Sequence, residues 1–236
     1  MKKLAPLLLC VSALSACTVV PQASSSRSAS AAPSAPVAVA PRGPSLTQTP
    51  LAMRAEDRQC LTNLNETGAQ FSHVADAYTG QGCSTIGTVQ LTALHSDSAQ
   101  LGVSNIGPVQ CGVGAAFAAW ARFGVDRAAR QLLGSPLQRI ETMGSYACRN
   151  VAGSERRSAH ATAGAIDIAA FVLEDGRRVS VAQDWSAGTE QEKQFLRTVQ
   201  RSACRRFGTV LGPDYNAAHR DHFHVEGVID DSSFCR

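Results

Sequence analysis

The run Ala165-Ile-Asp-Ile-Ala-Ala-Phe-Val-Leu-Glu-Asp-Gly-Arg-Arg-Val-Ser-Val-Ala182 has the pattern of a β-hairpin. Ile166, Ile168, Phe171 and Val172 are apolar on the outward leg, and Arg178-Val179-Ser180-Val181 alternates on the return, the period of two expected of paired strands. Asp175-Gly176 supplies the tight turn between them. Toward the C-terminus, Thr189-Glu190-Gln191-Glu192 is a capping box, so a helix starts there and runs through Phe195, Leu196 and Val199 to about Phe207. Gly212-Pro213-Asp214 breaks the chain, and His222 to Val228 reads as a closing strand.

Toward the N-terminus, Leu137 to Tyr146 reads as a strand. Cys111 to Leu133 is rich in Ala and carries Phe117, Trp120 and Phe123, the composition of a buried helix, with Gly134 as its C-cap. Gly80 to Pro108 suggests loops and short strands. Glu56 to Val74 has small or apolar residues at Cys60, Leu61, Leu64, Gly68 and Phe71, the rhythm of a helix packed on one face. Helices flanking hairpins predict an α+β domain built on a central antiparallel sheet, over residues 56–236. Trp120 is expected in the core and Trp185 beside a cleft. Arg201, Arg205 and Arg206 are expected on a solvated helix face.

The ends speak of export. Lys2 and Lys3 precede an apolar run, Leu4 to Leu14, too short for a membrane span of about 20 residues. Leu14-Ser15-Ala16-Cys17 resembles the lipobox of bacterial lipoproteins, which implies a signal over residues 1–17 and a lipid on Cys17. Thr18 follows instead of the Asp that resembles an inner-membrane retention signal. The expected address is therefore the periplasm, lipid-anchored to the outer membrane of a Gram-negative bacterium. Residues 18–55, mostly Ser, Ala, Pro, Val and Gln at first, read as a disordered tether. Of 22 basic residues Lys2 and Lys3 leave with the signal, so 20 stand against 19 acidic ones. No basic stripe interleaved with aromatics appears, and nucleic acid is not expected as a partner.

Apart from Cys10 and Cys17 there are six cysteines, Cys60, Cys83, Cys111, Cys148, Cys204 and Cys235, spread without a CxxC pair. That usage predicts three disulfides in an oxidising compartment. Sequential pairing, Cys60 with Cys83, Cys111 with Cys148 and Cys204 with Cys235, is the simplest expectation.

His160, Asp167 and His224 form a candidate metal set. Two imidazoles and a carboxylate give Zn²⁺ three N/O ligands and leave one position open, the pattern of catalytic sites. His222 and His224, two apart on a strand, share a face. His73 and His95 are expected to be ordinary polar residues, and His219 is a candidate neighbour of the site.

These residues carry a resemblance. Ser158-x-His160-x-x-Ala163-x-Ala165-x-Asp167 resembles the SxHxxGxAxD signature of zinc D-Ala-D-Ala peptidases, and His222-x-His224 is similar to the second motif of the group that also holds lysostaphin-type endopeptidases and the Hedgehog domain. The stretch from about Cys60 to Cys235 resembles the bacterial extensin-like C-terminal family, through Gly144-Ser-Tyr-Ala-Cys-Arg149, Leu211-Gly-Pro-Asp-Tyr-Asn216 and His219-Arg-Asp-His-Phe-His224. The resemblance implies a Hedgehog/D-Ala-D-Ala-peptidase-like fold and a zinc peptidase acting on peptidoglycan peptides; separately, the chain is expected to be a monomer. It also implies that Arg149 binds a substrate carboxylate, with Ser158 at the same substrate end. Ala163 stands where the signature has Gly, and Asp221 where the peptidases often carry Glu. Either Asp221 or His222 can serve as general base, with His222 preferred and Asp221 orienting it. Two other readings stay open: a non-catalytic, metal-containing lipoprotein that binds peptidoglycan, and an envelope lipoprotein without metal.

Overall fold

The computed structural model describes residues 55–236. The expected signal, the expected lipid site at Cys17 and residues 18–54 of the expected tether lie outside the described residues. The first helix, α1 (Ala55–Glu66), leads to strand β1 (Gln70–His73), then to a small hairpin of β2 (Tyr78–Gly80) and β3 (Cys83–Ser84). Next come β4 (Thr88–His95), β5 (Gln100–Ser104), β6 (Val109–Gln110), helix α2 (Cys111–Trp120) and β7 (Leu137–Gly144). The C-terminal half holds β8 (Ala165–Leu173), β9 (Arg178–Ser180), α3 (Val181–Asp184), α4 (Glu190–Ala203), β10 (Thr209–Leu211), β11 (Phe223–Glu226) and β12 (Phe234–Cys235).

The main sheet runs β1-β4-β5-β7-β8-β11-β10-β12, with β6 on β4 and β9 on β8. The domain is α+β, but its sheet is mixed: β5 pairs β7 in parallel, and β12 pairs β10 in parallel. The expected all-antiparallel sheet is corrected on this point. The helix between β5 and β7 carries the chain back along the sheet, so the second strand enters in the same direction as the first.

Several expected boundaries move for local reasons. α1 stops at Glu66 rather than near Val74, because Gly68 takes φ +79, the left-handed conformation that ends helices. Phe71 then lies in β1, paired with β4. The helix from Cys111 continues past Trp120 in wider π turns to Leu133 and ends at Gly134, φ +70. The fully buried Asp126 sits in those turns; it accepts from Leu137 N–H at 2.9 Å and from Arg130 Nε at 2.9 Å, tying the helix end to β7. The hairpin forms as expected, with Gly176 at φ +88. Its return leg stops at Ser180, whose hydroxyl caps α3. The capping box closes with both bonds, Thr189 N to Glu192 Oε2 at 2.7 Å and Glu192 N to Thr189 Oγ1 at 3.3 Å. α4 ends at Ala203, ahead of Phe207.

The core lies on the helix side of the sheet. Trp120 is fully buried, its ring edge-on to Phe171 and Phe207, and its Nε1 donates to Val199 O and Ser202 Oγ. Phe171 in turn meets Phe195 of α4. Ile166 and Ile168 of β8 are fully buried in this layer, so the residue between them, Asp167, is directed to the opposite face.

Three disulfides form, but two pairings differ from expectation: Cys60 joins Cys111, and Cys83 joins Cys148, while Cys204 joins Cys235 as expected. α1 packs on α2, whose first residue is Cys111, and that non-local contact decides Cys60. The bridges suggest an extracytoplasmic location. Among the described residues no helix is long and apolar enough to cross a membrane.

Candidate metal centre

The centre is assembled where β8 and β11 pair. The antiparallel register sets His224 directly opposite Asp167, and Glu226 opposite Ala165. His160 arrives from a 3₁₀ turn, Ala159–Thr162, just ahead of β8. Ser158 starts that turn by accepting the His160 N–H on its hydroxyl at 3.3 Å. Ala163 ends it in the left-handed conformation, φ +56. The turn is held against the segment after β7: Ala147 N donates to His160 O at 3.0 Å, and Ser158 N donates to Arg149 O at 3.1 Å. Local turn and long strand together deliver the two imidazoles to one carboxylate.

His160 Nε2 lies 3.1 Å from Asp167 Oδ2, His224 Nδ1 lies 2.9 Å from Asp167 Oδ1, and the two nitrogens are 3.2 Å apart. One ligand atom from each of the three residues falls within 4.8 Å of the others. All three side chains are largely buried. The outward nitrogens are also engaged: His160 Nδ1 donates to Ser145 O at 3.1 Å and His224 Nε2 donates to Glu226 Oε2 at 3.1 Å. Metal-binding histidines characteristically show this arrangement, with the far N–H tied to a carbonyl or carboxylate so that the near nitrogen points at the ion. The donor set, two nitrogens and one carboxylate, fits a divalent ion.

The electrostatics agree. Burial works against the charged form of His224, but its bonds to Asp167 and Glu226 outweigh that and raise its pKa to about 9. Burial also opposes ionisation of Asp167, yet the bonds from His160 and His224 hold its carboxyl well below the usual range. The pocket therefore favours positive charge between these groups, and a metal would compete with a proton for that place.

His222 stands one residue before β11, which starts later than the expected strand. Its Nδ1 donates to Asp221 Oδ1 at 2.9 Å, and its Nε2 faces Asp167 Oδ1 at 3.5 Å. The bond from His222 keeps the Asp221 carboxyl below its ordinary value. His219 lies beside the cluster, 5.2 Å from the His222 ring and 5.8 Å from the His224 ring, with Nδ1 donating to Asn216 Oδ1 at 2.8 Å. Burial, followed by the charges of His222 and His224, lowers its pKa to about 4. Arg149 is exposed, and its charge acts on His219. His73 and His95 lie elsewhere, on β1 and at the end of β4. Trp185 does not border this centre. It is buried against Phe223, which points away from the face that His224 shares with its neighbours.

Two contributors escaped the sequence reading. Glu226 had a visible signal, since it follows His224 by two on one strand and so shares its face. The carbonyl of Ser145 had none, because backbone acceptors carry no residue identity.

Fold and site thus define a disulfide-stapled α+β domain with a buried His-Asp-His group able to hold a metal ion. The model of the family described as extensin-like protein C-terminus matches residues 58–236, and the chain belongs to that family. No curated protein and no solved structure matches the chain significantly.

Proposed function

We propose that the protein is a zinc metallopeptidase that hydrolyses peptide bonds in peptidoglycan stem peptides or cross-links. The observation that carries the reading is the convergence of His160 Nε2, Asp167 and His224 Nδ1 within 4.8 Å, with the His222–Asp221 pair beside them. Zinc bound by these three residues would supply Lewis acidity, acidifying water and polarising a carbonyl. Asp221 holds the His222 Nδ1–H, so Nε2 presents its lone pair toward Asp167 and the reacting atoms. His222 takes the proton of the attacking water and returns it to the leaving amine, so that water and peptide give an acid and an amine. Arg149, exposed on the rim, receives a substrate carboxylate, with Ser158 at the same end. Lipid attachment at Cys17 and a periplasmic address facing the outer membrane complete the reading, on the strength of the N-terminal sequence and three disulfides.

Digestion of purified sacculi by zinc-loaded protein is the test, with released muropeptides identified by mass. His222→Ala should retain zinc and lose about 100-fold or more in rate. Sacculi that are bound but yield no new fragments under several metals would replace the peptidase reading with a peptidoglycan-binding one.

A further inference from the structure

We propose that Glu226 is the positioning residue that decides which nitrogen of His224 meets the metal. Its carboxylate holds Nε2, and the ion is taken by Nδ1. The inference rests on the metal-binding part of the reading above and is independent of hydrolysis.

An imidazole offers two nitrogens, and the partner of one determines the role of the other. In this centre the two histidines are set in opposite senses. His160 gives Nδ1 to the Ser145 carbonyl and turns Nε2 inward; His224 gives Nε2 to Glu226 and turns Nδ1 inward. Because a bare imidazole can rotate about its stem, something must hold each ring. For His160 that is backbone, beyond the reach of substitution. For His224 it is a side chain two residues along the same strand and on the same face. The register explains how Glu226 reaches it. The residue across from Glu226 is Ala165, whose methyl leaves the space beside His224 to the longer side chain. Gly227, at φ +62, then turns the chain, and its N–H donates to Gly164 O at 3.0 Å. That bond anchors the end of β11 to the residue preceding β8. A longer side chain at position 165 would compete for the place that Glu226 uses.

Metal affinity is the first readout, measured on metal-free protein by competition for zinc with a chelating dye. Glu226→Ala should bind zinc about 10–100-fold more weakly, the usual cost of losing such a partner. Glu226→Gln should fall between the two, because its amide oxygen still accepts from Nε2–H. Circular dichroism and the thermal midpoint of the metal-free forms establish that each variant is folded. The second readout needs no variant: long-range ¹⁵N–¹H correlation on the zinc-loaded wild type should show the His224 proton on Nε2 and the metal on Nδ1. Affinity of Glu226→Ala within about threefold of wild type, or a His224 proton found on Nδ1, would overturn the proposal, as would a wild type that takes up no zinc. Sacculi left uncut while Glu226→Ala still weakens zinc binding would remove the peptidase reading and leave this one standing.

Discussion

Ala163 shows how a single residue can carry backbone strain at the edge of the centre. It is fully buried and sits at φ +56, closing the turn that presents His160. A left-handed conformation costs a non-glycine residue about 1–2 kcal/mol. Glycine would remove that strain, but it would forfeit a buried methyl worth about 0.8 kcal/mol. It would also add unfolded-state freedom worth about 0.5–1 kcal/mol. The terms nearly cancel. Ala163→Gly should therefore change unfolding stability by less than about 1 kcal/mol, whereas Ala163→Val, β-branched and larger, should lose more than about 2 kcal/mol. Urea denaturation of the metal-free forms measures both, and a valine variant as stable as wild type would show that the turn is not confined as described. At this scale the sequence was informative where residue chemistry is rare. A histidine and an aspartate seven residues apart, followed by a distant HxH, point to one site because few folds need them otherwise. Ala163 gave no such signal, since its conformation is imposed by the turn and by Gln110, whose N–H donates to its carbonyl.

Elements were legible in proportion to how local their cause is. The hairpin of β8 and β9 and the capped start of α4 depend on neighbours within a few residues, and both appear where the pattern puts them. The parallel pairing of β5 with β7 and the partner of each cysteine depend on contacts across many residues. The Cys83–Cys148 bridge spans a sequence separation of 65 and the Cys60–Cys111 bridge one of 51, distances at which no periodicity survives. The two bridges should nonetheless differ in function. Loop entropy, about 4 kcal/mol for either length, gives them similar weight in stability. Cys148 lies within the segment that bonds to His160 and the start of its turn, through Ser145 O, Ala147 N and Arg149 O, whereas Cys111 reaches only the far end of that turn, through Gln110 to Thr162 O and Ala163 O. Replacing Cys83 and Cys148 together by serine should weaken zinc binding about tenfold, by loosening the partners of His160. Replacing Cys60 and Cys111 should lower stability by about 2–5 kcal/mol and leave affinity near wild type. Chelator competition alongside thermal melts separates the outcomes, and equal affinity losses in both pairs would count against a local role for the Cys83–Cys148 bridge.

Across the whole molecule the sheet separates two tasks. One face packs Trp120, Phe171, Phe195 and Phe207 beneath the helices; the other carries Asp167, His224 and Glu226. Substitutions in the core should accordingly act on stability, and substitutions at the centre on metal binding, with the two adding independently when far apart. A metal held by this group would feed back on the fold, because the site exists only in the native state. Zinc at about 100 times its dissociation constant should stabilise the domain by about 2.7 kcal/mol, which in a domain of this size raises the thermal midpoint by about 5–10 °C. His160→Ala should abolish that increment. Trp120→Phe should lower the midpoint with and without zinc and leave the increment intact. Acid should shrink it as well, since protons and metal compete for the nitrogens of His160 and His224. Calorimetric scans at pH 7.5 and pH 5.5, each with zinc and with chelator, contain every arm. An increment that persists in His160→Ala would place the stabilising ion elsewhere in the molecule and detach the metal from the His160, Asp167 and His224 cluster.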